Sequence, residues 1–235
     1  MTAIRGARER ARREVTAAIK NEARAQLAAD GAAKLSLRAV ARELGMASSA
    51  LYRYFPSRDD LLTALIIDAY DMVGEAAESA LAAAPPSRPP LERWLAVCHA
   101  VREWALAHPH EYALIYGSPI PGYAAPASTV GPASRVALTL IAVIADTHAR
   151  GDLAPPANSR PHDVVTPELT QYTRTMPPEA APALITAWTT LFGLISFELF
   201  GHFHNVVRDP GEFLTRTMTA RAGDVGLPGT GPDKP

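Results

Sequence analysis

Leu51-Tyr52-Arg53-Tyr54-Phe55 runs directly into Pro56-Ser57-Arg58-Asp59-Asp60-Leu61-Leu62, and the reading of this stretch decides the fold. Leu51 and Phe55 stand four apart, on one face of a helical turn, and read as core contacts; Tyr52, Arg53 and Tyr54 fall on the other faces. Pro56 ends that helix because it has no N–H to give and its ring clashes with the preceding turn. Ser57, followed three residues later by Asp60, resembles a capping box with aspartate in place of glutamate, so another helix opens there. Upstream, a serine of the Ser48-Ser49 pair can cap the helix that ends at Phe55, and Ser36 is a cap for an earlier one. That earlier helix carries Leu37, Val40, Ala41 and Leu44 at three-four spacing and stops at Gly45. Two short helices around a glycine-containing turn are a helix-turn-helix in outline, the arrangement that offers one helix to the major groove of DNA.

Before this pair the spacing predicts an amphipathic helix from about Ala7 to Ala29, with Val15, Ile19, Ala23 and Leu27 on one face and Asp30-Gly31 ending it. Arg5, Arg8, Arg10, Arg12 and Arg13 crowd its start, either as further phosphate contacts or as a solvated face. Residues 1–58 hold 12 Lys+Arg against 5 Asp+Glu, a net of plus seven, while the remaining residues hold 11 against 19, a net of minus eight. A basic head on an acidic body suits a polyanionic partner for the head.

After Ser57 a long helix carries Leu61, Leu65, Ile66, Ala69, Tyr70 and Val73, and the prolines from Pro85 to Pro90 end it. Helices are expected over Leu91–Ala107, near Glu111–Tyr116, and over Ala133–Arg150, Pro182–Val206 and Pro210–Arg221. A polar, proline-broken connection is expected over 158–178 and a disordered glycine and proline tail over 223–235. No strand pattern is visible. The expected fold is all-α, with a DNA-binding helix-turn-helix domain over residues 1–58 and a larger helical effector-binding and dimerisation domain over 59–222.

Cys98 is the sole cysteine, which excludes an intrachain disulfide and suits a reducing cytoplasm. The arginine-rich start lacks the apolar stretch of a secretory signal. The apolar segment near Ala187–Phe203 is interrupted by Thr189, Thr190, Ser196, Glu198 and His202 and reads as a buried helix rather than a membrane span. No Gly-x-Ser-x-Gly, glycine-rich phosphate loop or His-Glu-x-x-His string suggests an enzyme, and no cofactor is implied. Glu198, His202 and His204 raise a metal-responsive alternative, weakened because His204 lies off the face that Glu198 and His202 share. A helical protein-interaction module with a DNA-inactive head is the other alternative.

The order of a basic first helix, the string Ser36 through Met46, the Leu51–Phe55 string with Pro-Ser-Arg, and a long fourth helix resembles the TetR family of transcriptional regulators. Trp104 through Tyr112 and Leu191 through His202 resemble its WHG-like C-terminal subgroup. The resemblance implies a ligand-responsive regulator, commonly a repressor, that binds double-stranded operator DNA as a homodimer and responds to a small-molecule effector. It assigns DNA contacts to Ser36, Arg38, Ser48, Ser49, Tyr52, Arg53, Tyr54 and Arg58. Arg38 and Arg53 are the expected base readers, since a guanidinium can grip guanine O6 and N7 together. Trp94, Trp104, Tyr112, Tyr116, Tyr123, Phe192, Phe197 and Phe200 are candidates for an apolar effector pocket. Trp188, Leu191, Ile195, Glu198, Leu199, His202, Phe213, Leu214 and Met218 are candidates for the dimer face.

Overall fold

The computed structural model describes residues 2–156 and 166–229. Among the described residues there is no strand, and the chain is a succession of helices: α1 (Thr2–Asp30), α2 (Leu37–Glu43), α3 (Ser48–Leu51), α4 (Arg58–Ala83), α5 (Pro90–Ala107), α6 (Pro109–Tyr116), α7 (Val130–Ala149), α8 (Pro167–Thr173), α9 (Ala181–Leu199) and α10 (Pro210–Asp224). The all-α expectation holds.

The chain forms two compact units, Met1–Ala69 with His110–Val130, and Tyr70–Pro109 with Gly131–Pro235. The head therefore extends past the boundary expected after residue 58, for a reason visible in its core. Leu61, Leu62 and Leu65 of α4 are buried with Ile19, Ala23, Leu27, Leu37, Val40, Leu51 and Phe55, and Leu114, Ile120 and Tyr123 pack against the same cluster. Tyr123 and Thr63 share a hydroxyl hydrogen bond of 2.9 Å. A three-helix head alone would leave the first two turns of α4 uncovered on their apolar side.

In the second unit α5, α9 and α10 pack pairwise on one another. Leu91, Trp94, Val97, Cys98 and Val101 of α5 meet Leu184, Leu191 and Ile195 of α9 and Leu214 and Met218 of α10 in a buried core. Polar ties cross it: the Trp94 indole N–H donates to the Met218 carbonyl at 3.1 Å, and Arg102 grips Glu198 through Nε (2.7 Å) and Nη2. Arg93, 3% exposed, donates to the Ala84 carbonyl past the end of α4 and to Asp146 on α7. Cys98 is fully enclosed, and burial raises its thiol pKa, as suits an inert core sulfur.

On α7, Arg135 spans about two helical turns of α4, donating to Asp71 at 2.8 Å and to both carboxylate oxygens of Glu78 at 2.8 and 2.7 Å. Those bonds lower the Glu78 pKa. The arginine lies directly over Gly74, where a Cβ would stand 2.7 Å from Arg135 Cβ and Nε. Gly74→Ala is therefore expected to destabilise the body by about 1–2 kcal/mol, because the clash exceeds the helix propensity that alanine gains. Chemical denaturation checks this, and an unchanged or raised midpoint would remove the packing role given to Gly74.

Several elements differ from expectation. α1 begins earlier than Ala7, and α9 ends at Leu199, after which a series of tight turns reaches Phe203. Of the expected loose connection, 157–165 lies outside the described residues, but α8 and a 3-10 turn at Pro178–Ala180 occupy the rest, with Met176 and Ala180 buried. The tail begins later than residue 223: Val225 and Leu227 are buried, and the Gly226 carbonyl accepts from Ala154 N–H at 2.9 Å. Residues 230–235 lie outside the described part. By length and hydropathy alone Ala127–Ala149 and Pro178–Leu199 could cross a membrane. That departs from the expectation of no span, yet Leu140, Ile144, Leu191 and Ile195 at their centres are fully packed in the body, as in core helices.

Candidate nucleic-acid interface

Ser36 has extended backbone angles and its hydroxyl oxygen accepts from Ala39 N–H, which starts α2. Leu37, Val40 and Ala41 then face the core, so Arg38 and Arg42, four apart, share the exposed face. Gly45 takes φ +63 and the Met46 N–H reaches back to the Ala41 carbonyl at 2.8 Å, a left-handed stop that an L side chain would strain. The turn is thus set by local chemistry.

Ala47, not Ser48, is the residue preceding α3, and no side chain caps that helix. Its first turn is closed instead by backbone bonds from Ala50 and Leu51 to the Ala47 carbonyl, leaving both serine hydroxyls free of a capping role. Hydrogen-bonded turns continue through Phe55, whose N–H donates to Leu51 at 3.1 Å. Leu51 and Phe55 are buried, 0 and 7% exposed, and they anchor the segment. Ser48, Ser49, Tyr52 and Arg53 are exposed, and Tyr54 is half-buried with the Arg12 guanidinium 5.3 Å above its ring.

The predicted contacts therefore separate. Arg38, Ser48, Ser49, Tyr52 and Arg53 lie at the surface of α2 and α3, and neither arginine is in a salt bridge among the described residues. Ser36 keeps a hydroxyl proton to donate beyond its cap. Arg58 is half-buried: its Nη2 donates to the carbonyls of Ala32 (2.8 Å) and Ala33 (3.4 Å) at the turn between α1 and α2, and its Nη1 stands 3.6 Å from the Asp59 carboxylate. Those carbonyls follow the end of α1 and need a donor. The capping box at the start of α4 is present, with Ser57 Oγ accepting from Asp60 N–H at 3.0 Å and donating to its carboxylate at 2.7 Å. Arg42 was missed from sequence; its spacing from Arg38 was the available signal.

The remaining candidates are dispersed. Trp94 is wholly buried and hydrogen-bonded, Trp104 and Phe192 are buried, and Phe197 and Phe200 are 53 and 46% exposed, all in the body. Tyr112 and Tyr116, with ring centroids 5.1 Å apart, and Tyr123 belong to the head unit. Two open grooves lie in that unit. One, of about 480 Å³, is lined by α1 residues from Glu9 to Arg24 and by Asp68; the other, of about 430 Å³, by Leu27, Gly31, His110, Leu114 and neighbours. Of the expected dimer face, Leu191, Ile195, Leu214 and Met218 turn inward and are no more than 1% exposed, because the α5–α9–α10 packing covers them. The Glu198 carboxylate is taken by Arg102. His202 and Phe213 are exposed, and Trp188 and Leu199 are half-buried.

Comparison with known proteins places this geometry. Residues 19–65 match the family described as bacterial regulatory proteins, tetR family. Residues 94–220, where the WHG-like subgroup was expected, match the tetracyclin repressor-like C-terminal domain. An HTH-type transcriptional regulator of Mycobacterium tuberculosis is 38% identical over 222 residues, covering 88% of this chain and 90% of the relative. The crystal structure of the regulatory protein SCO4313 superposes with a TM-score of 0.70 at 33% identity, covering 92% of this chain and 98% of that one. RolR in complex with resorcinol has the same fold, with a TM-score of 0.53 at 15% identity over 95% of this chain and all of that chain. The chain belongs to the TetR family: it is a transcriptional regulator, not an enzyme, with a DNA-binding helix-turn-helix built from α2 and α3.

Proposed function

We propose that this regulator is a cytoplasmic repressor that binds a palindromic operator as a homodimer and leaves it when a small hydrophobic effector enters the body. The observation that carries the DNA part is the pair Arg38 and Arg53, exposed and free of carboxylates, beside the hydroxyls of Ser48, Ser49 and Tyr52. A head kept only for protein contacts would have no need of unpaired guanidiniums beside donors of phosphate-contact type. Ser36, Ser48, Ser49, Tyr52 and, by its hydroxyl, Tyr54 set register on the backbone, while Arg38 and Arg53 read bases. Gel shift on the DNA upstream of the protein's own gene tests this. Specific competition surviving in salt supports the regulator, and binding that any duplex competes away equally supports the interaction module.

One head offers few base contacts, so two are needed on half-sites about 34–36 Å apart. Support for dimerisation lies on the outer side of the body: Ile185, Phe197, Phe200, Val206 and Phe213 are between 37 and 76% exposed. Phe197, Phe203 and Phe213 form consecutive ring contacts at 5.8 Å centroid spacing, with His202 beside Phe197. Apolar area of this kind is better covered by a second copy. Phe197→Glu with Phe200→Glu is expected to weaken the dimer at least 100-fold, since each aromatic anchor contributes about 2 kcal/mol or more. Sedimentation equilibrium reads this, and an unshifted dimer constant would move the interface elsewhere.

For the effector, the indole N–H groups of Trp104 and Trp188 are buried without a hydrogen-bond partner among the described residues. An unmet buried donor costs about 1–3 kcal/mol, which a ligand acceptor would recover. RolR, a relative in fold, was crystallised with resorcinol, an aromatic molecule carrying such oxygens. Thermal shift against a panel of hydroxylated aromatics is the check; if none raises the melting temperature or loosens operator binding, the effector reading fails.

A further inference from the structure

Residues 6–14 of α1 stand at the surface among the described residues. Ile19, Ala23 and Leu27 are buried in the head core and Val15 packs at its edge, but every residue from Gly6 to Glu14 is exposed. At about 100° of rotation per residue, Arg8 and Arg12 both fall within about 20° of the direction of Ile19. The inward stripe of α1, apolar where the domain covers it, thus continues as arginine where the domain stops. The acidic residues of the same stretch, Glu9 and Glu14, lie about 80° and 140° away, and Arg10 lies about 180° away. Arg13 lies about 120° away, so of the four arginines in this stretch two continue the domain-facing stripe, and neither carboxylate does.

Two observations bear on what these arginines serve. Lys20 and Arg24, further along the helix, are both held by Asp68 at 2.7 and 2.6 Å, whereas Arg8 and Arg12 form no salt bridge among the described residues. The Arg12 guanidinium also stands 5.3 Å from the centre of the Tyr54 ring. Tyr54 is the neighbour of Arg53, so the stripe comes out of the domain on the side that carries the base-reading segment.

We propose that residues 6–14 of α1 form a second DNA-contacting element, an arm whose Arg8 and Arg12 grip backbone phosphates in the duplex flanking the bases that Arg53 reads. The arm rests on the DNA-binding function of the head and adds a footprint outside the helix-turn-helix. Four helical residues separate the two guanidiniums by about 6 Å along the axis, roughly two base-pair rises. Tyr54 acts as a stop that holds the Arg12 stem by cation–π attraction while its N–H groups face phosphate.

The test uses the full-length protein and an operator defined by footprinting. Arg8→Gln/Arg12→Gln keeps helix formers in place, and Arg10→Gln removes the same type of charge from the opposite face. For each, affinity is measured from low to high salt, with circular dichroism verifying unchanged helix content. The double variant is expected to lower the slope of log affinity against log salt by about 1.8 per head and to weaken binding roughly ten- to thirtyfold per head near physiological salt. Arg10→Gln is expected to change affinity less than about threefold. Trimming the flanking base pairs should bring the native protein down to the double variant and leave the double variant unaffected. An unchanged slope in the double variant, or an equal loss from Arg10→Gln, overturns the arm. Absence of specific binding by the native protein would instead overturn the operator reading on which the arm rests.

Discussion

Arg53→Ala is expected to remove most sequence preference from DNA binding while leaving the protein folded. The guanidinium is exposed and in no salt bridge among the described residues, so its loss breaks no ion pair, and stability should move by no more than about 0.5 kcal/mol. A bidentate contact to guanine is worth about 1–3 kcal/mol of discrimination, and the proposed dimer would carry two, so specific affinity should fall by about 2–6 kcal/mol, or roughly 30-fold to 10⁴-fold. Non-specific affinity should fall far less, since only one positive charge per head is lost. Arg53→Lys separates charge from geometry: a point charge holds phosphate but cannot match the O6/N7 pair, so it should lose preference and keep non-specific binding. Competition gel shift with operator and scrambled duplex reads both quantities. If Arg53→Ala still prefers operator as strongly as the native protein, base reading belongs to Arg38, with its exposed neighbour Arg42, and not to Arg53.

Trp94→Ala is expected to have the largest effect on stability. Its ring is 0% exposed between α5 and α10, and its N–H reaches the Met218 carbonyl. Truncating a fully buried tryptophan costs about 3–5 kcal/mol through lost transfer energy and the cavity left behind. Trp94→Phe restores much of the volume and should cost less, about 1–2 kcal/mol, since the hydrogen bond is worth about 1 kcal/mol and a small void remains. Trp188→Ala is the internal comparison. Trp188 is half-buried and its N–H has no partner among the described residues, so its loss should cost less than that of Trp94. Urea unfolding followed by far-ultraviolet circular dichroism checks the order, with a separate transition for the body treated separately if it appears. A Trp94→Ala midpoint equal to the native one would mean the α5–α10 contact is not the keystone of the body.

The helix-turn-helix was legible because each of its decisions is made within a few residues. Ser36 caps α2, Gly45 reverses the chain, Pro56 follows the last turn after α3, and Ser57 with Asp60 starts α4; all of these act over one helical turn or less. Ser48 shows the limit of such reading. Ala47 precedes α3 in its place, since backbone bonds to the Ala47 carbonyl close the turn without any side chain. The outward side of α9 was read less well, because the 3.6-residue period marks that helix as apolar on most sides without saying which side its own body covers. Leu191 and Ile195 went inward, and Phe197 and Phe200 stayed out.

From its sequence alone this protein is an all-helical chain with a basic, DNA-reading head, since helix starts, stops and apolar faces are written in neighbouring residues. Which charged groups remain available for a partner is decided only in three dimensions. Arg58 is tied to the turn at Ala32 and Ala33, whose two carbonyls come to it across 26 and 25 residues. Lys20 and Arg24 are held by Asp68 from 48 and 44 residues away, and Glu198 by Arg102 from 96. An ion pair between elements distant in sequence depends on where two side chains end up, unlike the helical pair of Arg216 and Glu212, which their four-residue spacing sets. For this reason the arginines outside any ion pair among the described residues, Arg8, Arg12, Arg38, Arg42 and Arg53 among them, can be told from the committed ones only once the helices are packed.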